Sequence, residues 1–397
     1  MKKPIILLFA VLVLLLAGCD KEPERIETAS GEVPQSSETG GASAPYVPLV
    51  SPEDSNQAFS WPSYAETAEG CYYGVDGLIY FCPRGGDAFY PLCSKPNCEH
   101  TDKNCNAFYG FAFGYCDSAL YAFDPASEPG QLSLVKMNLD GTDHRVVAIL
   151  DNSYLEQYSY ECKFHHGKLY IQFVADDSLP IEEQQDHLVV VDLSDYSQTE
   201  PAADFLRGAR LPHIEAYYKD KLYAHGTGDK SPNQRYEDYK LIEIDAVSGE
   251  ARTLVSRPVS GLYATDSTLY YLESDISVYY EIEIENPGFR ELDLQSGTVK
   301  DCGLPAADIL WAQYDEDYIY AGSFRRNNGK DQTLYILSRD YKLVDQIELT
   351  NGVHFFGAAS DRIYFYDSIH NTPISFYINK AQIGSHELQL IPIEIVR

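Results

Sequence analysis

Basic side chains are scarce in this 397-residue chain: 30 Lys and Arg stand against 60 Asp and Glu, a formal net charge of −30. That acidic excess makes nucleic acid and anionic lipid surfaces poor partners. Helical periodicity is nearly absent from residue 62 onward, which argues against a helical bundle, and 32 tyrosines favour sheet. Enzyme motifs are missing as well. There is no Gly-x-Ser-x-Gly elbow, no His-Glu-x-x-His helix and no phosphate-binding glycine loop. Apart from Ile5 to Leu16 no stretch is long and apolar, and that run is short for a bilayer span.

What is present is a repeat. A Gly, Ser or Asp, any residue, Leu or Ile, then Tyr recurs seven times, ending at Tyr80, Tyr121, Tyr170, Tyr223, Tyr270, Tyr320 and Tyr364. The gaps are 41, 49, 53, 47, 50 and 44 residues, the period of a four-stranded propeller blade. Each phrase follows a tight turn, such as Asp76-Gly77, Lys219-Asp220 or Ser360-Asp361, which reads as a hairpin between strands a and b. Later in each unit a strand ends in Asp and a turn, as in Val190-Val191-Asp192-Leu193 or Glu291-Leu292-Asp293-Leu294, which reads as strand c leading to d. The predicted fold is all-β, a seven-bladed β-propeller of four-stranded antiparallel blades over 62–397. Six or eight blades follow if a terminal unit is miscounted. Residues 362–367, 375–380 and 387–396 complete the last blade, and a strand near Tyr46 to Val50 is an alternative means of closing the ring.

Lys2 and Lys3 before the apolar run mark residues 1–18 as a signal peptide. Residues 19–61 are rich in Glu, Ser, Gly, Pro and Thr, a composition that buries too little surface to order itself. They read as a flexible tether with a mean reach on the order of 35 Å. Leu16-Ala17-Gly18-Cys19 resembles the bacterial lipobox. The resemblance implies cleavage before Cys19, a diacylglyceryl group on its sulfur, and an extracytoplasmic body held to membrane lipid by the acyl anchor.

The Leu/Ile-Tyr strands and the Asn138-Leu139-Asp140-Gly141-Thr142 turn resemble those of extracytoplasmic TolB-like and YWTD-type propellers. Leu92-Cys93-Ser94-Lys95-Pro96-Asn97-Cys98-Glu99-His100 is similar to a run in uncharacterised propeller lipoproteins of anaerobic Gram-positive bacteria. The resemblance implies a fold and leaves function open.

Nine cysteines become eight if Cys19 carries lipid, an even number that suits disulfides outside the cell. Counting outward from Asp76-Gly77 sets Cys71 opposite Cys82, a candidate disulfide that a hydrogen-bonded site would strain. Cys93, Cys98, His100 and Cys105 form Cys-x4-Cys-x-His-x4-Cys, placed in a Cys/His-rich insertion of the first blade (93–105), with Cys93 at the end of strand c. The four suit either disulfides or one structural zinc, although the spacing departs from the usual zinc knuckle. Cys162 and Cys302 are isolated and suit apolar packing. His165 and His166 point to opposite faces of a strand and read as turn or surface residues.

The a–b turns are short, whereas Asp176 to His187, Gly226 to Tyr239, Ser274 to Gly288 and Phe324 to Gln332 are long loops where a ligand would sit. Arg325 and Arg326, and Arg235 with Tyr236, are the ligand-binding candidates, able to grip a carboxylate, phosphate or sugar acid; solvated loop charges are the plainer reading. The function expected is noncatalytic binding of a glycan, a peptide or an envelope protein. The alternatives are a carbohydrate-active hydrolase or lyase, and a structural or assembly factor of the cell envelope.

Overall fold

The computed structural model describes residue 64 onward, apart from 102–103, 111, 126–130, 152–157, 176–185, 202–209, 228–238, 258, 274–286, 323–331, 351, 370–371 and 397. Seven antiparallel sheets follow one another as blades, with strands lying between residues 64–91, 113–151, 158–199, 210–255, 260–303, 311–349 and 353–392. Among the described residues the only helical element is a single 3-10 turn, Lys380–Gln382. The architecture is the expected seven-bladed propeller, not a ring of six or eight.

Two local devices repeat. Strand c ends in an Asp whose carboxylate accepts from the turn that follows. Asp192 Oδ1 takes the Ser194 N–H at 2.8 Å, Asp245 Oδ1 the Ser248 N–H at 2.8 Å, and Asp293 Oδ1 the Ser296 N–H at 2.6 Å. Such side-chain turns satisfy backbone groups that no strand can reach. The a–b turns carry charges that bridge neighbours: the Lys168 ammonium meets the Asp220 carboxylate of the next blade, and Lys219 meets Asp266.

The core lies in the seams between blades. Strand alternation sends the phrase tyrosine towards the following blade and its neighbours towards the preceding one. Tyr170 therefore packs on Leu222 and Ala224, Tyr223 on Leu269 and Tyr271, and Tyr320 on Ile363 and Phe365. Each buried ring contributes on the order of 2–3 kcal/mol.

The first blade departs from the reading by one strand. Its a–b turn is Thr67 to Gly70, where the Thr67 N–H donates to Gly70 O at 2.8 Å. Thr265 with Thr268 and Ala359 with Arg362 make the same bond in later blades. Asp76-Gly77 is thus the b–c turn, with both residues left-handed (φ 53° and 79°). Tyr80 lies in strand c (Leu78–Pro83), and the true equivalent of the phrase tyrosine is Tyr72 in strand b (Gly70–Val75). Tyr72 faces the second blade as its counterparts face theirs, while Tyr80 faces the seventh.

Closure uses the C-terminus. Strands Val353–Ala358, Arg362–Asp367 and Thr372–Asn379 are followed by a fourth of only two residues, Ile391–Pro392. The segment expected to finish the last blade then crosses over: Glu394–Ile395 pairs in parallel with Ala88–Phe89, a fifth strand on the first blade. Ile393 is buried between the two blades with Phe89 and Tyr377. The alternative strand at Tyr46 to Val50, like residues 1–61 as a whole, lies outside the described residues.

Candidate functional site

Strand d of the first blade, Ala88–Pro91, covers only Tyr80 and Phe81 of strand c. Past it, the Leu92 N–H donates to Ile79 O at 2.8 Å, and the chain leaves the sheet. It returns where Ile79 N–H donates to Ala107 O at 2.7 Å and the Tyr109 N–H to Gly77 O at 3.0 Å. Residues 93–101 and 104–105 therefore lie outside the sheet, between two segments that complete the same strand edge. Cys93 follows strand d and does not end strand c, because the first blade begins one strand earlier than its phrase suggested.

Within this loop the four expected donors converge: the ligand atoms of Cys93, Cys98, His100 and Cys105 all lie within 4.8 Å of one another. His100 Nδ1 is 3.3 Å from Cys105 Sγ. The backbone is left-handed at Asn97 (φ 57°) and His100 (φ 54°), and the Cys98 N–H donates to Lys95 O at 3.4 Å. The Lys95 ammonium donates to Asn104 O and draws the two arms of the loop together. Cys105 is buried and the other three are half-buried.

The sulfurs sit among backbone donors. The Ala107 N–H donates to Cys105 Sγ at 3.3 Å. Burial pushes the Cys105 thiol up to about 12, opposed by that bond and assisted by the neighbouring Cys93 and Cys98. At Cys93 burial also raises the thiol, but hydrogen bonds from the Lys95 and Asn106 backbones together with those from Cys105 and Cys98 hold the group below its usual value.

The second blade supports the loop from outside. His144 Nε2 lies 3.1 Å from Asn106 O and 3.0 Å from Gly141 O. Gly141 (φ 74°) approaches so closely that a Cβ there would stand 2.6 Å from Leu92 O. The Tyr72 hydroxyl donates to Leu139 O at 3.1 Å. The sequence marked 138–142 as a turn, but nothing in it tied that turn or His144 to a loop some 40 residues earlier.

Cys71 stands opposite Cys82 as counted, and both are free cysteines. The hydrogen bond between them, with burial, raises Cys71, while Cys82 is lowered by the same bond and by the nearby Arg362. Cys162 packs among the apolar side chains between the second and third blades, and Cys302 against those between the fifth and sixth. His165 is buried beside the Tyr217 ring at 5.8 Å and is not a surface residue: as the last residue of its strand it points into the seam. His166 takes the left-handed turn position. Cys19, Arg235, Tyr236, Arg325 and Arg326 lie outside the described residues.

No protein-family model matches the chain, and neither does any curated protein. Among solved structures, one of two prolyl endopeptidases aligns with a TM-score of 0.54 at 11% identity, covering 82% of this chain and 48% of that one. The chain thus spans about half the length of that endopeptidase. An oligogalacturonate lyase in complex with manganese aligns at 0.46 and 13% identity, covering 77% of this chain and 84% of that one. A second oligogalacturonate lyase, from Vibrio parahaemolyticus, gives 0.48 and 11%, covering 82% and 86%. At such identities the likeness is one of fold alone: the chain is a seven-bladed β-propeller.

Proposed function

We propose that the chain is a lipid-anchored, extracytoplasmic propeller that binds a glycan, peptide or protein of the cell envelope without transforming it. The observation that carries the noncatalytic reading is electrostatic. Every carboxylate with a displaced titration among the described residues is held below its ordinary value, by turn N–H groups at Asp245 and Asp293 and by the partner cations of Asp266 and Asp340. Glycoside hydrolysis instead needs one carboxyl kept protonated near neutral pH. The address rests on the apolar segment before Leu16-Ala17-Gly18-Cys19.

The test is to express the full chain in a bacterial host that processes lipoproteins, extract it with detergent and measure its mass, membrane retention and ligand binding. The expected result is a mass matching an acylated Cys19, release from the membrane by Cys19→Ala, and a thermal shift on a glycan or peptide array with no product formed. Turnover of any array member, or an unmodified protein free of the membrane, contradicts the proposal.

A further inference from the structure

We propose that Cys93, Cys98, His100 and Cys105 bind one zinc ion, which staples the first blade to the second. The donor atoms all lie within 4.8 Å of one another, with His100 Nδ1 and Cys105 Sγ at 3.3 Å, a range that spans the edges of a zinc tetrahedron, about 3.8 Å for Zn–S bonds of about 2.3 Å. His100 Nδ1 faces the Cys105 sulfur directly at 3.3 Å, so that nitrogen is the ligating one.

Three features favour metal over a disulfide. The loop holds three cysteines, so any disulfide within it strands a thiol, whereas a four-donor set uses all three together with the imidazole. The Ala107 backbone N–H donates to Cys105 Sγ at 3.3 Å, an outer contact of the kind that orients a metal ligand. Thiolates with one imidazole select zinc over calcium or magnesium, which take oxygen ligands.

Binding releases one proton from each thiol and leaves the imidazole neutral, so three thiolates and Zn2+ make a site of net charge −1. All four positions are protein side chains. With no position left for water or substrate the ion is structural.

What it holds follows from the hydrogen bonds. Strand c of the first blade is covered at its Leu78–Ile79 end by Leu92 and Ala107 to Tyr109, the two segments that flank the donors. Asn106 O and Leu92 O in turn abut Gly141 and His144 of the second blade. Fixing the loop therefore fixes both a strand edge and a seam.

The test uses the full chain in detergent, purified without chelator or reductant. Elemental analysis is expected to find one zinc per chain, lost in Cys98→Ser and His100→Ala and kept in Cys302→Ser. Exchange of the wild-type protein with Co2+ is expected to give the intense visible bands of a tetrahedral thiolate site, a readout that stands even if the variants fold poorly. Chelation should lower the melting temperature of the wild type and leave His100→Ala unmoved. A metal-free protein with two of the loop cysteines bonded, a stoichiometric iron in place of zinc, or zinc retained by both ligand variants overturns the proposal.

Discussion

The Tyr364 hydroxyl lies 3.3 Å from Cys71 Sγ, across the seam where the last blade meets the first. Tyr364 is the last in the series of repeated tyrosines, and Cys71 occupies the position that Leu or Ile holds in the phrases of the other blades. Around them Arg84 donates to Glu66 at 3.0 Å and to Ser360 at 3.2 Å, so this seam has both an apolar floor and a charged rim. The ring is joined here by side chains and, further out, by the C-terminal strand.

Removal of residues 393–397 is expected to weaken that join. It deletes the buried Ile393 side chain, the Glu394 N–H bond to Asp87 O and the Val396 N–H bond to Phe89 O. The expected loss is about 3 kcal/mol or more, the range for emptying a buried aliphatic site. Urea unfolding checks it, with a chain extended beyond Arg397 by Gly and Ser as the control that should not move.

The repeated tyrosines are not equivalent in their hydroxyls. Tyr320 donates to Asp315 Oδ2 at 2.6 Å, whereas the buried Tyr170 oxygen makes no hydrogen bond among the described residues. Tyr320→Phe is expected to cost about 1–3 kcal/mol, as for a lost bond to a charged acceptor, and Tyr170→Phe close to nothing. Equal losses in chemical denaturation would contradict this difference.

Two glycines separate backbone conformation from close packing. At Gly261 (φ 57°) a Cβ would stand 2.3 Å from Ala312 O in the next blade, while at Gly297 (φ 71°) it would meet open space. Gly297→Ala is expected to cost about 1–2 kcal/mol from its left-handed conformation alone. Gly261→Ala should cost clearly more, measured as the shift in unfolding midpoint.

Acidification tests the turn carboxylates. The Ser248 backbone N–H, with that of Val247, holds Asp245 below the ordinary carboxylate range. Because the folded value is depressed, its stabilisation is complete above the unfolded value of about 4 and is lost as pH falls through the lower folded one. Protonation also relieves the self-repulsion of an acidic chain, so the comparison is with Asp245→Asn, in which that global effect is nearly unchanged. Between pH 6 and 3 the difference between the wild-type and variant midpoints should shrink.

Most of the ring was legible because its period is written in large buried residues. Tyrosines at a blade interval must fall at equivalent places in equivalent seams, and the Asp-ended strands had to end in turns. The first blade misled for a physical reason. Cys71 replaces the aliphatic residue of the phrase before Tyr72, while the Asp76-Gly77 hairpin imitates the phrase one strand later. Moving the origin to Tyr72, 49 residues before Tyr121, makes the period more even. Closure was hidden because strands of two residues, Ile391–Pro392 and Glu394–Ile395, carry no periodicity. The Cys/His spacing announced four donors, but it encodes neither the left-handed backbone at Asn97 and His100 nor the contact of the second blade's His144 with Asn106.

Native-state hydrogen exchange at the C-terminus tests ring closure most directly. If Glu394–Ile395 closes the ring, the amides of Glu394 and Val396, bonded to Asp87 O and Phe89 O, exchange slowly and together with the interior strands of the first blade. Exchange at the rate of an unstructured tail, with the first blade still protected, would contradict it.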